Sequence, residues 1–202
     1  MKNKIINYIL NNINKENYNK EKIEYIKYGL EALYLTLTKL IIILLIALLF
    51  NVFIQALLLI MLYAIIKAPS FGMHANSSKV CLILSTGLFI FPLFFMKSLE
   101  VPLLIKILTA VGCLITFALY APADTVKRPL INKEKRTRLK KTSLIIAAIY
   151  IILAFIFTNN QLLSNVFLYA LVLQGLIISP VFYKLNNQPY QNYKNYKKEV
   201  LI

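Results

Sequence analysis

Six apolar segments, Tyr34–Phe50, Val52–Ile66, Val80–Met96, Val101–Tyr120, Ser143–Phe157 and Leu162–Tyr183, fill most of this chain and leave only short polar stretches between them. Such segments offer no polar face to water. About 20 apolar residues cross a bilayer as a helix, and with no water at hand the backbone polar groups must bond within the segment, as a helix allows. The pattern therefore predicts an all-α, polytopic integral membrane protein with about six transmembrane or re-entrant helices. Several segments fall short of a full span. The first two are parted only by Asn51 and the last two only by Thr158–Gln161, so each pair reads as a tight hairpin or includes a re-entrant member. Composition agrees: 59% of residues are hydrophobic and 15% charged, against roughly a half and a quarter in soluble domains. One membrane-embedded domain over 1–202 is expected, with an N-terminal region (1–33), membrane helices (34–183) and a tail (184–202).

Charge sets the orientation. With six spans and the N-terminus inside, 21 of the 23 Lys and Arg residues fall on the inner side, and only Lys97 and Lys106 remain outside. Cytoplasmic loops carry that excess, so the reading is a multi-pass cell-membrane protein with both termini, the loop after Ile66 and the loop after Tyr120 in the cytoplasm. The formal charge of +15 flanks apolar spans and fits anionic lipid better than nucleic acid. Ile5, Ile6, Ile9, Leu10 and Ile13 recur at helical spacing, the pattern of an amphipathic interfacial helix. The start lacks a long apolar core and a small-residue cleavage site, so no signal peptide is read. The tail interleaves Tyr190, Tyr193 and Tyr196 with lysines and reads as surface-associated or without fixed structure.

One segment concentrates chemistry. Ser70–Cys81, SFGMHANSSKVC, holds His74, the only histidine, seven residues before Cys81, one of two cysteines. A thiol beside an imidazole suits nucleophilic acyl transfer. One His and two Cys fall short of a zinc site, and no metal or other cofactor is expected. In an unbroken helix the pair would lie about 10.5 Å apart along the axis, too far for proton transfer. Asn76, Ser77 and Ser78 are instead good N-caps, so a helix starting there would carry Cys81 in its first turn and leave His74 in the preceding loop, with Pro69 and Gly72 helping it fold back. A helix N-terminus, with Lys79 and Lys67 near in sequence, favours negative charge on sulfur, while desolvation opposes it. First-turn N–H groups would stabilise an oxyanion, and Asn76 is a candidate to orient His74. The alternative for this pair is a packed cysteine and an interfacial histidine, which is the reading for Cys113.

Phe71-Gly72-Met73-His74-Ala75 followed by Cys81 resembles the G-x-H-A…C signature of the accessory gene regulator B family, membrane-embedded cysteine endopeptidases of Gram-positive quorum sensing. Tyr120–Leu130, YAPADTVKRPL, resembles that family's second motif, and the similarity extends over nearly the whole chain. The resemblance implies that His74 and Cys81 are catalytic and that an AgrD-like propeptide is cleaved through a Cys81 thioester and cyclised to a thiolactone autoinducing peptide. It also implies a homodimer. Lys67 stands where the family favours arginine, which keeps charge but loses a bidentate fork. Phe71-Gly72 replaces a double glycine common in the family. The basic stretch Lys127–Lys141, including Lys127, Arg128, Lys133, Lys135, Arg136 and Arg138, would dock the acidic C-terminal part of such a substrate. Asp124 and Arg128 are expected to pair and fix their loop, with Pro122 and Pro129 stiffening it. The principal rival is a transporter or exporter of a small peptide. Against it, the spans hold almost no ionisable residues and no acidic relay.

Overall fold

The computed structural model describes residues 2–12, 19–73, 78–126 and 129–194. His74, Asn76, Lys127 and Arg128 lie outside them, as do Ile13 and Tyr196. The chain forms two compact units, Met1–Asn51 and Val52–Ile202.

In the first unit, α1 (Lys2–Asn12) packs against α2 (Lys20–Leu49). The isoleucine pattern does make a helix: Ile6 is buried and Leu10 half-buried, while Ile5 and Ile9 stay exposed. α2 is longer than the apolar segment that predicts it. It begins at Lys20 because KEKIEYIKYGLEAL is built largely of strong helix formers with nothing to stop them. Asn51, at φ +57°, follows its end, as left-handed residues commonly do.

The second unit contains α3 (Phe53–Ser70), α4 (Ser78–Ile90), α5 (Leu93–Met96), α6 (Leu103–Tyr120), α7 (Lys133–Ile156), α8 (Gln161–Ile178) and α9 (Pro180–Leu185). α2, α3, α6, α7 and α8 are long and apolar enough to cross a membrane, while Cys81–Met96 is a shorter apolar stretch interrupted before Pro92. Proline removes a helical N–H and clashes with the preceding turn, so the third predicted segment becomes two helices. The sixth breaks likewise at Ser179-Pro180, where the Ser179 hydroxyl caps Phe182 N–H and Pro180 opens α9. Asn132 and Asn160 cap α7 and α8 through the amides of Lys135 and Leu163, at 3.0 and 3.2 Å.

α8 is the central helix, with Val166, Ala170, Leu171 and Gln174 fully buried. α3, α6 and α7 pack around it. The lipid solvent supplies no hydrophobic drive between helices, so close approach through small residues does the work. Ala56, Ala147, Ala154 and Ala170 are all buried, and Gly175 faces Thr116 of α6. Large apolar residues point outward instead, among them Leu104, Ile145 and Ile152. Tyr150 bonds the Leu62 carbonyl and Tyr169 the Leu88 carbonyl, both at 2.9 Å. These bonds fix α7 to α3 and α8 to α4.

Candidate active site

Both sequence motifs meet at one end of this bundle. α3 ends in two successive positive-φ residues, Phe71 at +58° and Gly72 at +110°, which turn the chain sharply toward His74. Glycine accepts that conformation freely, whereas a bulky residue is strained there. Phe71 is held by its own amide bonded to the Lys67 carbonyl at 2.9 Å, and its carbonyl takes a 2.7 Å bond from Gln174 Nε2. The same nitrogen lies 2.6 Å from Ser70 Oγ. Gly72 presses against α8 so closely that a Cβ would sit 2.8 Å from Ile177 Cγ2.

The second motif straps onto this turn. Gly72 N–H donates to the Ala123 carbonyl at 2.9 Å and Ala123 N–H to the Ser70 carbonyl at 3.0 Å, a short parallel bridge. Ala123 lies in the YAPAD stretch and Gly72 opens the G-x-H-A stretch, so the two motifs form one folded unit. α4 begins at Ser78 and places the half-buried Cys81 in its first turn, as the N-cap residues predict.

Asp124 is buried and serves as the hub of the second motif. Its carboxylate accepts N–H groups from Leu130 (3.3 Å), Asn192 (3.0 Å) and Tyr193 (2.7 Å). Its carbonyl accepts the Tyr183 hydroxyl at 2.8 Å. The expected partner Arg128 lies outside the described residues; among those described, backbone amides meet the carboxylate. The tail also departs from expectation: residues 189–194 fold back onto the loop through these bonds. Tyr190 packs edge-on to Tyr183 and Tyr120 at 5.2 and 6.3 Å. Burial first, then Asp124 and Tyr190, raises the Tyr183 hydroxyl above its usual range. Burial likewise pushes Tyr190 up to about 12. Both phenols stay protonated near neutrality, and Tyr183 keeps the hydrogen it donates.

The expected docking cations divide. Lys133 and Arg138, with Glu134, Thr137, Lys141 and Thr142, line an open cavity of about 630 Å³ on the first turns of α7. Lys135 is exposed on the same turns. Arg136 turns away: it binds the Leu130 and Ile131 carbonyls at 2.9 and 3.3 Å and lies 3.9 Å over the Tyr193 ring. Lys67 points along α3 to Tyr63, its Nζ 3.2 Å from the hydroxyl. Lys106, expected at the outer surface, is buried at 2% exposure and donates to Ser164 Oγ at 2.9 Å.

Sequence reasoning missed Gln174 and Tyr63. Gln174 stands alone as a polar residue in LYALVLQGLII, which was a usable signal, since a polar side chain in a span must bond inward. Tyr63 gave a weaker one, its i, i+4 spacing to Lys67.

The sequence profile of the accessory gene regulator B family matches residues 2–178. A Listeria innocua protein named "Putative AgrB-like protein" is 29% identical over 187 residues, 92% of this chain and 91% of the relative. A Clostridium perfringens protein of the same name is 37% identical over 143 residues, 67% of this chain and 66% of the relative. No solved structure matches. The profile match takes in both motifs that the fold bonds together, and the chain belongs to the accessory gene regulator B family.

Proposed function

We propose that this chain is a membrane-embedded cysteine endopeptidase of a quorum-sensing system, which removes the C-terminal part of a short propeptide and promotes cyclisation of the remainder. The observation that carries the reading is the bonded pair of motifs: the bridge between Ser70–Gly72 and Ala123 ties the end of α3, just before His74 in sequence, to the second motif, and α4, which begins at Ser78, carries Cys81 in its first turn. Such support matters because an ångström of misplacement between base and nucleophile can cost about a hundredfold in rate.

His74 takes the Cys81 proton, and the sulfur attacks the carbonyl carbon at the cleavage point. The tetrahedral oxyanion faces the N–H groups of the first turn of α4. As it collapses, the C–N bond breaks, His74 returns the proton to the leaving amine, and a thioester remains on Cys81. A thiol within the peptide then attacks that thioester and closes a thiolactone ring. This exchange is nearly balanced in energy, while forming a thioester from a peptide bond runs uphill, so departure of the C-terminal fragment draws the reaction forward. Water must be kept out, since hydrolysis gives a linear peptide.

The cavity on the first turns of α7, with Lys133, Arg138 and Lys141, suits an acidic C-terminal substrate segment. The site and both termini face the cytoplasm in this reading, which follows from the basic loops, and the chain works as a homodimer. Co-expression with the neighbouring propeptide, followed by mass spectrometry of the products, tests the proposal. A trimmed peptide one water lighter than the linear fragment, formed by the parent and absent with Cys81→Ala, is the expected result. Equal products from both proteins, or none from a folded parent given its substrate, would overturn it and favour a transporter.

A further inference from the structure

Beside α7 lies a second hollow, which propeptide docking leaves unused. It has a volume of about 190 Å³ and is enclosed by the end of α6, the YAPAD stretch, α7 and the folded-back tail. α7 turns Arg136 and Lys140 into it, which share a face because residues four apart in a helix are neighbours. Both cations are half-buried. The guanidinium rests on the Tyr193 ring, and its Nη1 holds the Leu130 and Ile131 carbonyls. Among the described residues, no acceptor takes the other Arg136 N–H groups or the Lys140 amine. Asp124, the carboxylate in the lining, is already met by three amides. The pocket is therefore cationic with donors to spare, and partial burial makes such unpaired charge unfavourable.

Its position says what fills it. α6 is apolar and long enough to cross a membrane and ends at Tyr120, and α7 turns apolar after Ser143. A pocket lined by Leu119, Tyr120 and Lys140 thus lies at the membrane surface, a depth that tyrosines favour. Leu119 forms its rim and is 63% exposed. Leu108 and Ile115 are exposed on the same face of α6, so an apolar track leads from the bilayer to the cations. A soluble anion has no use for that track, whereas an acyl chain does.

We propose that this pocket binds the phosphodiester headgroup of an anionic membrane lipid, whose acyl chains run along α6. The inference stands on the pocket itself and is independent of the chemistry at Cys81. Basic pockets between spans on the cytoplasmic side suit anionic headgroups. Lys140 meets the phosphate as a point charge, and Arg136 meets it with the N–H groups that it does not give to the carbonyls. The volume suits a phosphate and its glycerol, whereas a peptide segment needs the larger cavity of Lys133 and Arg138. Tyr190 and Tyr193 of the tail form the wall opposite α7. A bound headgroup then joins α7 to the stretch of tail that Asp124 holds, and the membrane itself steadies the loop that carries Ala123.

The test takes the full chain in a neutral detergent and measures retention of phosphatidylglycerol by native mass spectrometry, with phosphatidylcholine and the chain-free headgroup glycerophosphoglycerol beside it. The parent should hold one phosphatidylglycerol at least fivefold more tightly than phosphatidylcholine, and glycerophosphoglycerol at equal concentration should not displace it. Lys140→Gln keeps a good helix former and breaks no bond among the described residues; it should weaken retention about fivefold, the scale of one cation beside an anionic surface. Lys140→Arg should stay within twofold of the parent, as should Lys184→Gln, which removes an exposed cation outside the pocket. Tryptic cleavage after Lys194 gives a second reading: phosphatidylglycerol should slow it at least threefold in the parent and leave it unchanged in Lys140→Gln. Equal weakening by Lys140→Gln and Lys184→Gln would mean attraction to surface charge in general and overturns the proposal. Displacement by glycerophosphoglycerol as effective as by the lipid overturns it in favour of a soluble phosphate ester, and displacement by an oligoglutamate peptide overturns it in favour of an acidic substrate.

Discussion

The two ends of the second unit's helices both bury polar side chains, yet use them in opposite ways. At the end carrying the motifs, Ser70, Asp124, Gln174 and Asn192 are buried, and Asp124 and Gln174 reach loop backbone: Phe71, Leu130, Asn192 and Tyr193. At the other end, Lys106 bonds Ser164, Ser164 bonds the Ala154 carbonyl at 2.8 Å, and Asn165 bonds the Met96 and Leu99 carbonyls at 2.9 and 2.8 Å. The first set forces loops into one shape, including a strained residue at Phe71. The second ties α6, α7 and α8 together and closes the carbonyls after α5. Buried polar groups at the motif end therefore serve geometry near the site, and those at the far end serve helix register. Substitutions should separate accordingly, with processing most affected at the first end and least at the second.

The sharpest break is Gly72→Ala. The left-handed backbone there disfavours any Cβ, and the added carbon would lie 2.8 Å from Ile177 Cγ2. Either the turn or α8 must shift, and the segment leading to His74 shifts with it. Processing should fall about a hundredfold, the scale of an ångström's misplacement, while the helices remain. Propeptide cleavage measured beside circular dichroism checks this. Activity within threefold of the parent would mean that the His74 loop does not depend on its anchor.

A smaller effect is expected at Asp124, one step farther out. Asp124→Ala leaves the Leu130, Asn192 and Tyr193 amides without their acceptor, and hydrogen bonds to charged groups are each worth about 1.5–3 kcal/mol. The tail should come loose and the Ala123 strap weaken. Trypsin should cut after Lys184 and Lys194 faster than in the parent, and processing should drop about tenfold. Deleting residues 189–202 should reproduce the loss. Faster proteolysis with unchanged processing would show the tail to be held by the loop without helping it.

Much of this architecture was legible in the sequence, and what escaped had physical reasons. The apolar segments located the spans because each needs only its own residues, and the run Asn76-Ser77-Ser78 pointed to the start of α4 because capping signals are local. The breaks at Phe91-Pro92 and Ser179-Pro180 were written in plain proline chemistry inside segments read as continuous. The tail was different. Tyr183, Tyr190 and Asn192 look like a polar, lysine-rich end, and only Asp124, about 60 residues earlier, gives them somewhere to bind. Tyr63 likewise reads as one aromatic among apolar residues until α4 folds back and presents Phe89.

The mildest change in processing is expected at Lys106, and it sharpens the contrast most, since a buried lysine in a span would ordinarily be suspected of function. Among the described residues its amine gives one bond, to Ser164. Lys106→Met keeps the length of the side chain and removes a polar group whose desolvation was unfavourable, and Ser164 retains its bond to the Ala154 carbonyl. Replacing a buried polar group with an apolar one of similar shape is often neutral or stabilising. Stability should change by less than about 1 kcal/mol, and processing should stay within twofold. Ser164→Ala runs the other way, because it strands the amine inside the bundle; a buried group left without its partner costs about 1–3 kcal/mol or more. Thermal unfolding in detergent distinguishes the two. If Lys106→Met impaired processing while Ser164→Ala left stability untouched, the far end would hold a functional amine, and the division of labour between the two ends would have to be abandoned.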